Sequence, residues 1–503
     1  MNLAYTAADN FVLLPAIILA IIGCGVFVVD VATKEPLNRK WLLGFVTLGL
    51  ALAGAALWKQ QMALADPSLW NGPGGPLDHG TAQITAFGGS LVVDGFSLFF
   101  NWIFLAASFL VALVSYKYLE IEGEHHGEYY GLILLANCGM FFLATGTDLI
   151  TLFIGLELMA LCFYILVGFL RNEKRSNEAA MKYLLLGAFS TGFLAYGFSV
   201  LYGISGSTRL NVIAAAIASR APWDPLVFLA LGTTAVGLLF KIAAVPFHMW
   251  APDAYEGAPT TITAYLAVGS KAASFAFLLR MFLGPFAPLR AEWAPLIAGI
   301  AILTMTLGNI AAISQSNIKR LLAYSSISHA GYMLLGLVAG NETGIQGIAV
   351  YLLVYTFMTL GAFFVVIALR RKGILGEDVE DLSGLMRKSP GYALLMLLFM
   401  ASLAGIPFTG GFWGKVYIFL ALIQTGHYVL AVVATLYVAV ALYYYFRVVR
   451  SMFVGEQTEK QPLASSFGLR LALGVTGLMT VAVGLCPEPF LRLAQTSTTL
   501  IPH

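Results

Sequence analysis

Fourteen windows of about 20 mostly apolar residues follow one another along the chain, each long enough for an α-helix to cross the roughly 30 Å hydrocarbon core of a bilayer. They run approximately from Asn10 to Val29, Trp41 to Trp58, Gly95 to Tyr116, Tyr129 to Thr147, Leu149 to Leu170, Ala179 to Tyr202 and Pro225 to Trp250. The rest run from Thr260 to Leu279, Trp293 to Ser314, Leu321 to Gly340, Gly344 to Leu369, Ser389 to Gln424, Tyr428 to Phe446 and Leu471 to Phe490. Only 11% of the residues are charged, where a soluble domain carries about a quarter, so the expected fold is an all-α integral membrane protein. A net charge of +2 without a run of lysine or arginine argues against a nucleic-acid partner. Cys24, Cys138, Cys162 and Cys486 are scattered and form no CxxC pair, which argues against an iron–sulfur or zinc site. The first window has no basic start or small-residue cleavage pattern before it, so it reads as a retained helix.

The stretch from Ser389 to Phe446 can hold two spans or three, because Lys415 is its only charge and Pro407, Gly410 and Gly411 interrupt it. Positive residues accumulate in cytoplasmic loops, and the loop charges arbitrate. With two spans there, 18 lysines and arginines fall in odd-numbered loops, among them Lys34, Arg39, Lys319, Arg370, Arg371, Lys372 and Lys460. Six fall in the even-numbered loops and the tail: Lys59, Arg209, Arg220, Arg280, Arg290 and Arg492. With three spans the group from Arg447 to Arg470 changes sides and the asymmetry weakens. Fourteen spans with both termini extracytoplasmic is the better reading, and the twelfth is then a helix broken near Pro407, its freed backbone buried in protein or facing a wet cavity.

Four of the 28 lysines and arginines remain inside spans, and all four are lysines: Lys182, Lys241, Lys271 and Lys415. A lysine at the bilayer centre costs about 2.5–3.5 kcal/mol, which a purely structural protein has little reason to bear. Lysine also releases its proton readily when buried, whereas arginine stays protonated. Glu157, within Gly155-Leu-Glu157, is the only acid well inside a span, and a glutamate near a lysine favours the charged form of each. Asp30, Asp94 and Asp148 lie at span ends, where solvation is the usual explanation. His248 and His329 sit among hydroxyl-bearing neighbours that could order water for a proton relay. Each residue also has a plainer role: Lys182 could snorkel to the interface, the other lysines and Glu157 could form structural ion pairs, and the histidines could be hydrogen-bonded core residues.

The seventh window carries Lys241 and Pro246; the twelfth carries Pro407 and Lys415. They are five spans apart and therefore cross the membrane in opposite directions. Paired interrupted spans of opposite polarity point to an inverted-repeat transporter with its working sites near the midplane. The suggested units are spans 4 to 8 (residues 129–283) and 9 to 13 (residues 284–453), after a three-helix region (1–128) and before a C-terminal helix (454–503).

From about Val93 to Lys415 and beyond, the chain resembles the antiporter-like membrane subunits of NADH:quinone oxidoreductase, and among them the N type. The segments that carry the resemblance are Gly155 to Glu157, Asn177 to Ser190, Phe240 to His248, Pro252 to Pro259, Leu321 to His329 and Leu403 to Lys415. Only 13 residues, Leu491 to His503, follow the last window, which suits the N type and not the L type with its long lateral helix. The resemblance implies proton transfer at Glu157, Lys241, Lys271 and Lys415, driven by quinone reduction elsewhere in the respiratory complex. It implies partnership with the other membrane-arm subunits in a bacterial inner membrane, and none of the flavin, iron–sulfur or nicotinamide cofactors on this chain. Phe408 departs from the pattern, standing where a second proline or a small turn residue is expected. The competing readings are a subunit of a multi-subunit sodium/proton antiporter, a stand-alone secondary transporter for an organic solute, and a mainly structural membrane subunit.

Overall fold

The computed structural model describes residues 7–32, 40–65, 83–221, 223–370, 376–454, 463 and 465–500. Lys34, Arg39, Arg371, Lys372 and Lys460, five of the charges used to orient the chain, lie outside the described residues. Helices α1 (Ala7–Ala32) and α2 (Lys40–Ala65) pack together and against the fourth helix. An antiparallel hairpin follows, β1 (Ile84–Ala86) and β2 (Leu91–Val93), with Ile84 opposite Val93. The sequence reading did not anticipate it. Phe87 N donates to the Asp9 carboxylate, so the start of α1 and the hairpin share one membrane face, the hairpin face.

Helix α3 (Gly95–Glu122) begins at Asp94, whose carboxylate accepts from Ser97 N at 2.7 Å while Ser97 Oγ accepts from Asp94 N at 2.9 Å, a reciprocal capping box. Then come α4 (Gly127–Thr145), α5 (Leu149–Val167) and α6 (Lys174–Ser205). Asp148 caps α5 by accepting from Ile150 N at 2.9 Å. A short α7 (Leu210–Ala218) buries Leu210, Ile213 and Ile217, one stripe at helical spacing. The first half closes with α8 (Pro225–Lys241), α9 (Trp250–Gly257), α10 (Thr260–Tyr265), a π turn over Leu266–Ser270, and α11 (Lys271–Leu283).

The second half holds α12 (Arg290–Ile313), α13 (Ile318–Ala339), α14 (Glu342–Leu369), α15 (Leu385–Lys388), α16 (Pro390–Ala404), α17 (Gly410–Gln424) and α18 (Tyr428–Val454). It is followed by α19 (Phe467–Leu485) and α20 (Glu488–Gln495). Gln346 Nε2 donates to Leu491 O at 2.9 Å, and Gly95 meets the backbone of Thr496, so the chain end returns to the hairpin face. The core sits around α14 and the α10–α11 segment, whose most apolar windows are wholly buried. Helix α14 packs against α3, α10, α13, α16, α17 and α19.

Among the described residues, 12 helices are long and apolar enough to cross a membrane, and α8 and α16 are shorter apolar helices. The seventh and twelfth expected windows are thus not continuous: α8 stops at Lys241 before α9 begins at Trp250, and α16 stops at Ala404 before α17 begins at Gly410. Several charges assigned to solvent are in fact buried. Asp94 is 7% exposed and its two oxygens each lie 3.2 Å from Arg280 Nη2, while Arg280 Nε donates to Ala144 O at 2.6 Å. Asp148 is equally enclosed, and Thr208 Oγ1 donates to it at 2.5 Å. On the face opposite the hairpin, Lys319 Nζ lies 3.1 Å from Glu377 and donates to Ala258 O at 2.7 Å. Arg370 binds both oxygens of Glu122 there, at 2.6 and 2.9 Å. Burial disfavours the Arg370 cation, but the hydrogen bonds to Glu122, together with the charges of Tyr118, Glu122 and Glu377, outweigh it and raise its pKa above the ordinary value. Of these contacts, the Lys319 bond to Ala258 O joins the two halves and Arg370–Glu122 ties the second half to α3, where loop charges were expected.

Candidate functional site

Three of the four intramembrane lysines are enclosed, each held in a different way by neutral oxygen atoms. Lys241, the last residue of α8, is 4% exposed and its Nζ lies 3.4 Å from Tyr164 Oη. The chain beyond it turns through a cis Val245–Pro246 bond before Trp250 starts α9, where Trp250 Nε1 donates to Phe240 O at 2.9 Å. That indole is a second donor to a carbonyl at the end of α8 that also accepts from Ala243 N at 3.0 Å. Lys271 follows the π turn directly, and its Nζ donates to Ser326 O at 2.5 Å and to Ser326 Oγ. Nothing in the local sequence signals this turn, and π turns often mark functional positions.

Lys415 sits in α17, and its Nζ reaches back across the break to donate to Leu403 O at 2.9 Å and Ala404 O at 2.7 Å. Those are terminal carbonyls of α16, the negative end of that half-helix, so the break itself builds the lysine site. The turn depends on glycine twice. Gly405 has φ +87°, and a Cβ there would lie 2.8 Å from Lys415 Cδ; a Cβ on Gly411 would lie 1.9 Å from Ser402 O. Phe408, the residue that departed from the family pattern, takes φ +68° and is 77% exposed. That left-handed conformation explains why a small residue is expected at this place.

Helix α13 joins the second and third lysines. Ser326 binds Lys271; one turn on, His329 Nδ1 lies 2.6 Å from Tyr351 Oη and its Nε2 lies 3.0 Å from Tyr445 Oη. One turn further, the Tyr332 ring centroid lies 5.4 Å from Lys415 Nζ. Positions 326, 329 and 332 are neighbours on one helix face, so α13 lines a polar strip between Lys271 and Lys415. Sequence reasoning found His329 and missed Ser326, Tyr164, Tyr332, Tyr351 and Tyr445. Serine and tyrosine are ordinary in membrane helices, and only the adjacency of Ser325, Ser326 and His329 carried a signal.

Glu157 is not enclosed as expected. It is half-buried on the face of α5 that also presents Ile150, Ile154, Leu161 and Ile165, and it accepts from Thr191 Oγ1 at 2.9 Å. No ion pair joins it to Lys241 among the described residues, where the lysine's side-chain hydrogen bond is to Tyr164. Lys182 lies outside the enclosed row. Its side chain is 46% exposed and pairs with Glu178 at 2.8 Å and Asp253 at 2.9 Å, and Arg320 binds Asp253 at 2.9 Å and Glu256 at 2.8 Å. Burial works to raise the Asp253 carboxyl, but hydrogen bonds from Lys182 and Arg320 outweigh it and hold its pKa below the usual carboxylate value. The tie of Lys182 and Arg320 to α9 through Asp253 is therefore complete above the ordinary carboxylate range and is lost only as pH falls below it. His248 is half-buried in the first break, and its Nδ1 has no hydrogen-bond partner among the described residues.

Comparison with known proteins gives one consistent result. The profile of the family described as NADH:quinone oxidoreductase/Mrp antiporter, TM, matches residues 146–441. NADH-quinone oxidoreductase subunit N 2 of Solibacter usitatus is 69% identical, covering 99% of each chain. Subunit N 1 of Koribacter versatilis is 49% identical over 98% of this chain and 96% of its own. Among solved structures, a chain of respiratory complex I from Thermus thermophilus with bound aureothin superposes with TM-score 0.77 at 32% identity, covering 96% of this chain and 99% of its own. A chain of the Mrp complex from Dietzia superposes with TM-score 0.79 at 21% identity, covering 99% and 97%, a likeness of fold.

Proposed function

The chain belongs to the N subunits of NADH-quinone oxidoreductase, and on that premise we propose that Lys241, Lys271 and Lys415, joined by the hydroxyls and His329 of the α13 strip, carry protons through it. It is a proton-translocating, multi-pass subunit of the membrane arm, packed beside the other membrane-arm subunits. The quinone and nicotinamide chemistry belongs to other subunits, and this chain responds to it by changes of charge. One observation carries the reading: among the described residues, none of the three enclosed lysines forms an ion pair. A permanently charged lysine at this depth would be expensive, and among the described residues no carboxylate lies within ion-pair distance of any of the three. A lysine that alternates between charged and neutral forms is supported instead.

Glu157 extends the row outward. A carboxylate on a membrane-facing stripe is costly against lipid, so a neighbouring subunit covers this face and exchanges charge with it. The loop charges support both termini lying outside a bacterial inner membrane, with residues 129–283 and 284–453 as the two inverted units. The sodium/proton antiporter and solute-carrier readings are less well supported, because the relatives at 49–69% identity are subunits of the oxidoreductase. Purification in mild detergent is expected to bring down flavin and iron–sulfur subunits; small antiporter subunits alone would reverse that order.

Glu157→Gln and Lys241→Ala test the first half of the row. Each is expected to lower protons translocated per electron in membrane vesicles while the complex still assembles. Parental ratios in both variants would make the two residues structural.

A further inference from the structure

Helix α3 carries a polar stripe that the lysine row does not use. Ser97, Asn101, Ser108, Ser115, Tyr118 and Glu122 recur at intervals of three, four and seven, which sets them on one helix face. That face meets α4 and the α10–α11 segment. Its inner half is fully bonded. Ser115 Oγ lies 3.0 Å from Tyr129 Oη, which lies 2.6 Å from Thr261 Oγ1; Tyr118 Oη accepts from Thr260 N at 3.3 Å; and Glu122 closes the stripe against Arg370. At mid-depth Ser108 Oγ lies 2.7 Å from Tyr265 Oη and accepts from Asn137 Nδ2 at 2.6 Å. Tyr265 is the residue before the π turn that leads to Lys271.

The outer half differs. Asn101 is 3% exposed, and neither its amide oxygen nor its amide nitrogen has a hydrogen-bond partner among the described residues. Leaving a buried amide unpaired is costly, and water is the usual partner of a buried polar group that the protein leaves open. Two turns outward, about 10 Å along the helix axis, the Asp94–Arg280 pair lines a cavity of about 370 Å³ beneath the hairpin, together with Arg209, Asn211 and Thr147. A similar distance inward lies the Ser108–Tyr265–Asn137 cluster. The unpaired Asn101 amide stands midway between the two and offers a donor and an acceptor to bound water.

We propose that the outer half of the α3 face is a hydrated proton path from the protein interior at Tyr265 to the cavity at Asp94. The proposal rests on the reading of this chain as a proton translocator. The proton moves along water, and no covalent bond of Asn101 changes, so Asn101 is a positioning residue that holds that water in place. Among the described hydrogen bonds none links the Ser108–Tyr265–Asn137 cluster to the Ser115–Tyr129–Thr261 chain, so the path ends at mid-depth.

The test uses the full complex. With Cys24, Cys138, Cys162 and Cys486 replaced by serine, Asn101→Cys is expected to react with a small cationic methanethiosulfonate supplied on the hairpin face, and Ser115→Cys is not. In the otherwise native chain, Asn101→Leu is expected to lower proton translocation per electron clearly below the parental ratio at normal assembly, while Asn101→Ser, which can still hold water, retains most of it. An unreactive Asn101→Cys overturns the path, and so does parental translocation in Asn101→Leu. Lys415→Ala, assayed alongside, separates the two claims: if it is impaired while Asn101→Leu is not, only the path fails; if it pumps normally, the reading of the lysine row fails.

Discussion

Lys415→Arg is expected to lower proton translocation about as far as Lys415→Ala. The lysine amine rests on Leu403 O and Ala404 O, which stabilise it when charged, inside a site that is 4% exposed and apolar enough to let the proton go. Arginine keeps the charge but holds its proton at any accessible pH. Alanine removes charge and proton together. Removing a positioned proton donor slows the transfer it serves by about 10²–10⁴-fold, so both variants should fall by about tenfold or more in protons translocated per second. Gly405 leaves little room beside the lysine stem, so assembly of the arginine variant has to be measured in parallel. Near-normal pumping with arginine and poor pumping with alanine would make Lys415 a fixed electrostatic element.

Lys271→Met is expected to cut the first half from the second. Methionine matches the lysine stem in length and flexibility and fits an apolar site, so the fold should survive. It lacks the amine that reaches Ser326, and with it the described link from α11 to the α13 strip. Translocation should fall by about tenfold or more. Ser326→Ala should cost less, because the backbone carbonyl of residue 326 still accepts from the lysine. The two variants are compared by proton uptake in vesicles at matched complex content. Equal losses in both would assign the effect to packing, and parental uptake in Lys271→Met would remove this lysine from the path.

The parts of this site that were legible in the sequence are those that violate the membrane's preferences. Lys241, Lys271 and Lys415 stand out because a charge amid 20 apolar residues is expensive, and the two breaks stand out because Pro246 and Pro407 cannot continue a helix. Direction was harder to read. In a membrane helix both the lipid-facing and the buried face are apolar, so Ile154 and Leu161 gave no hint that Glu157 points outward with them. Arg280, Lys319 and Arg370 were placed in loops because they lie at window edges; their burial depends on Asp94, Glu377 and Glu122, partners remote in sequence. The π turn before Lys271 has no residue signature, and the glycine-bounded strain at Phe408 appeared only as a departure from a family pattern.

The most direct test of the lysine row is the number of protons translocated per NADH oxidised by the assembled complex, with Lys241, Lys271 and Lys415 all replaced by methionine in this chain alone. The account predicts a ratio clearly below the parental one, whatever the residual rate of NADH oxidation. A parental ratio at parental turnover would contradict it and leave the three lysines without a part in proton transfer.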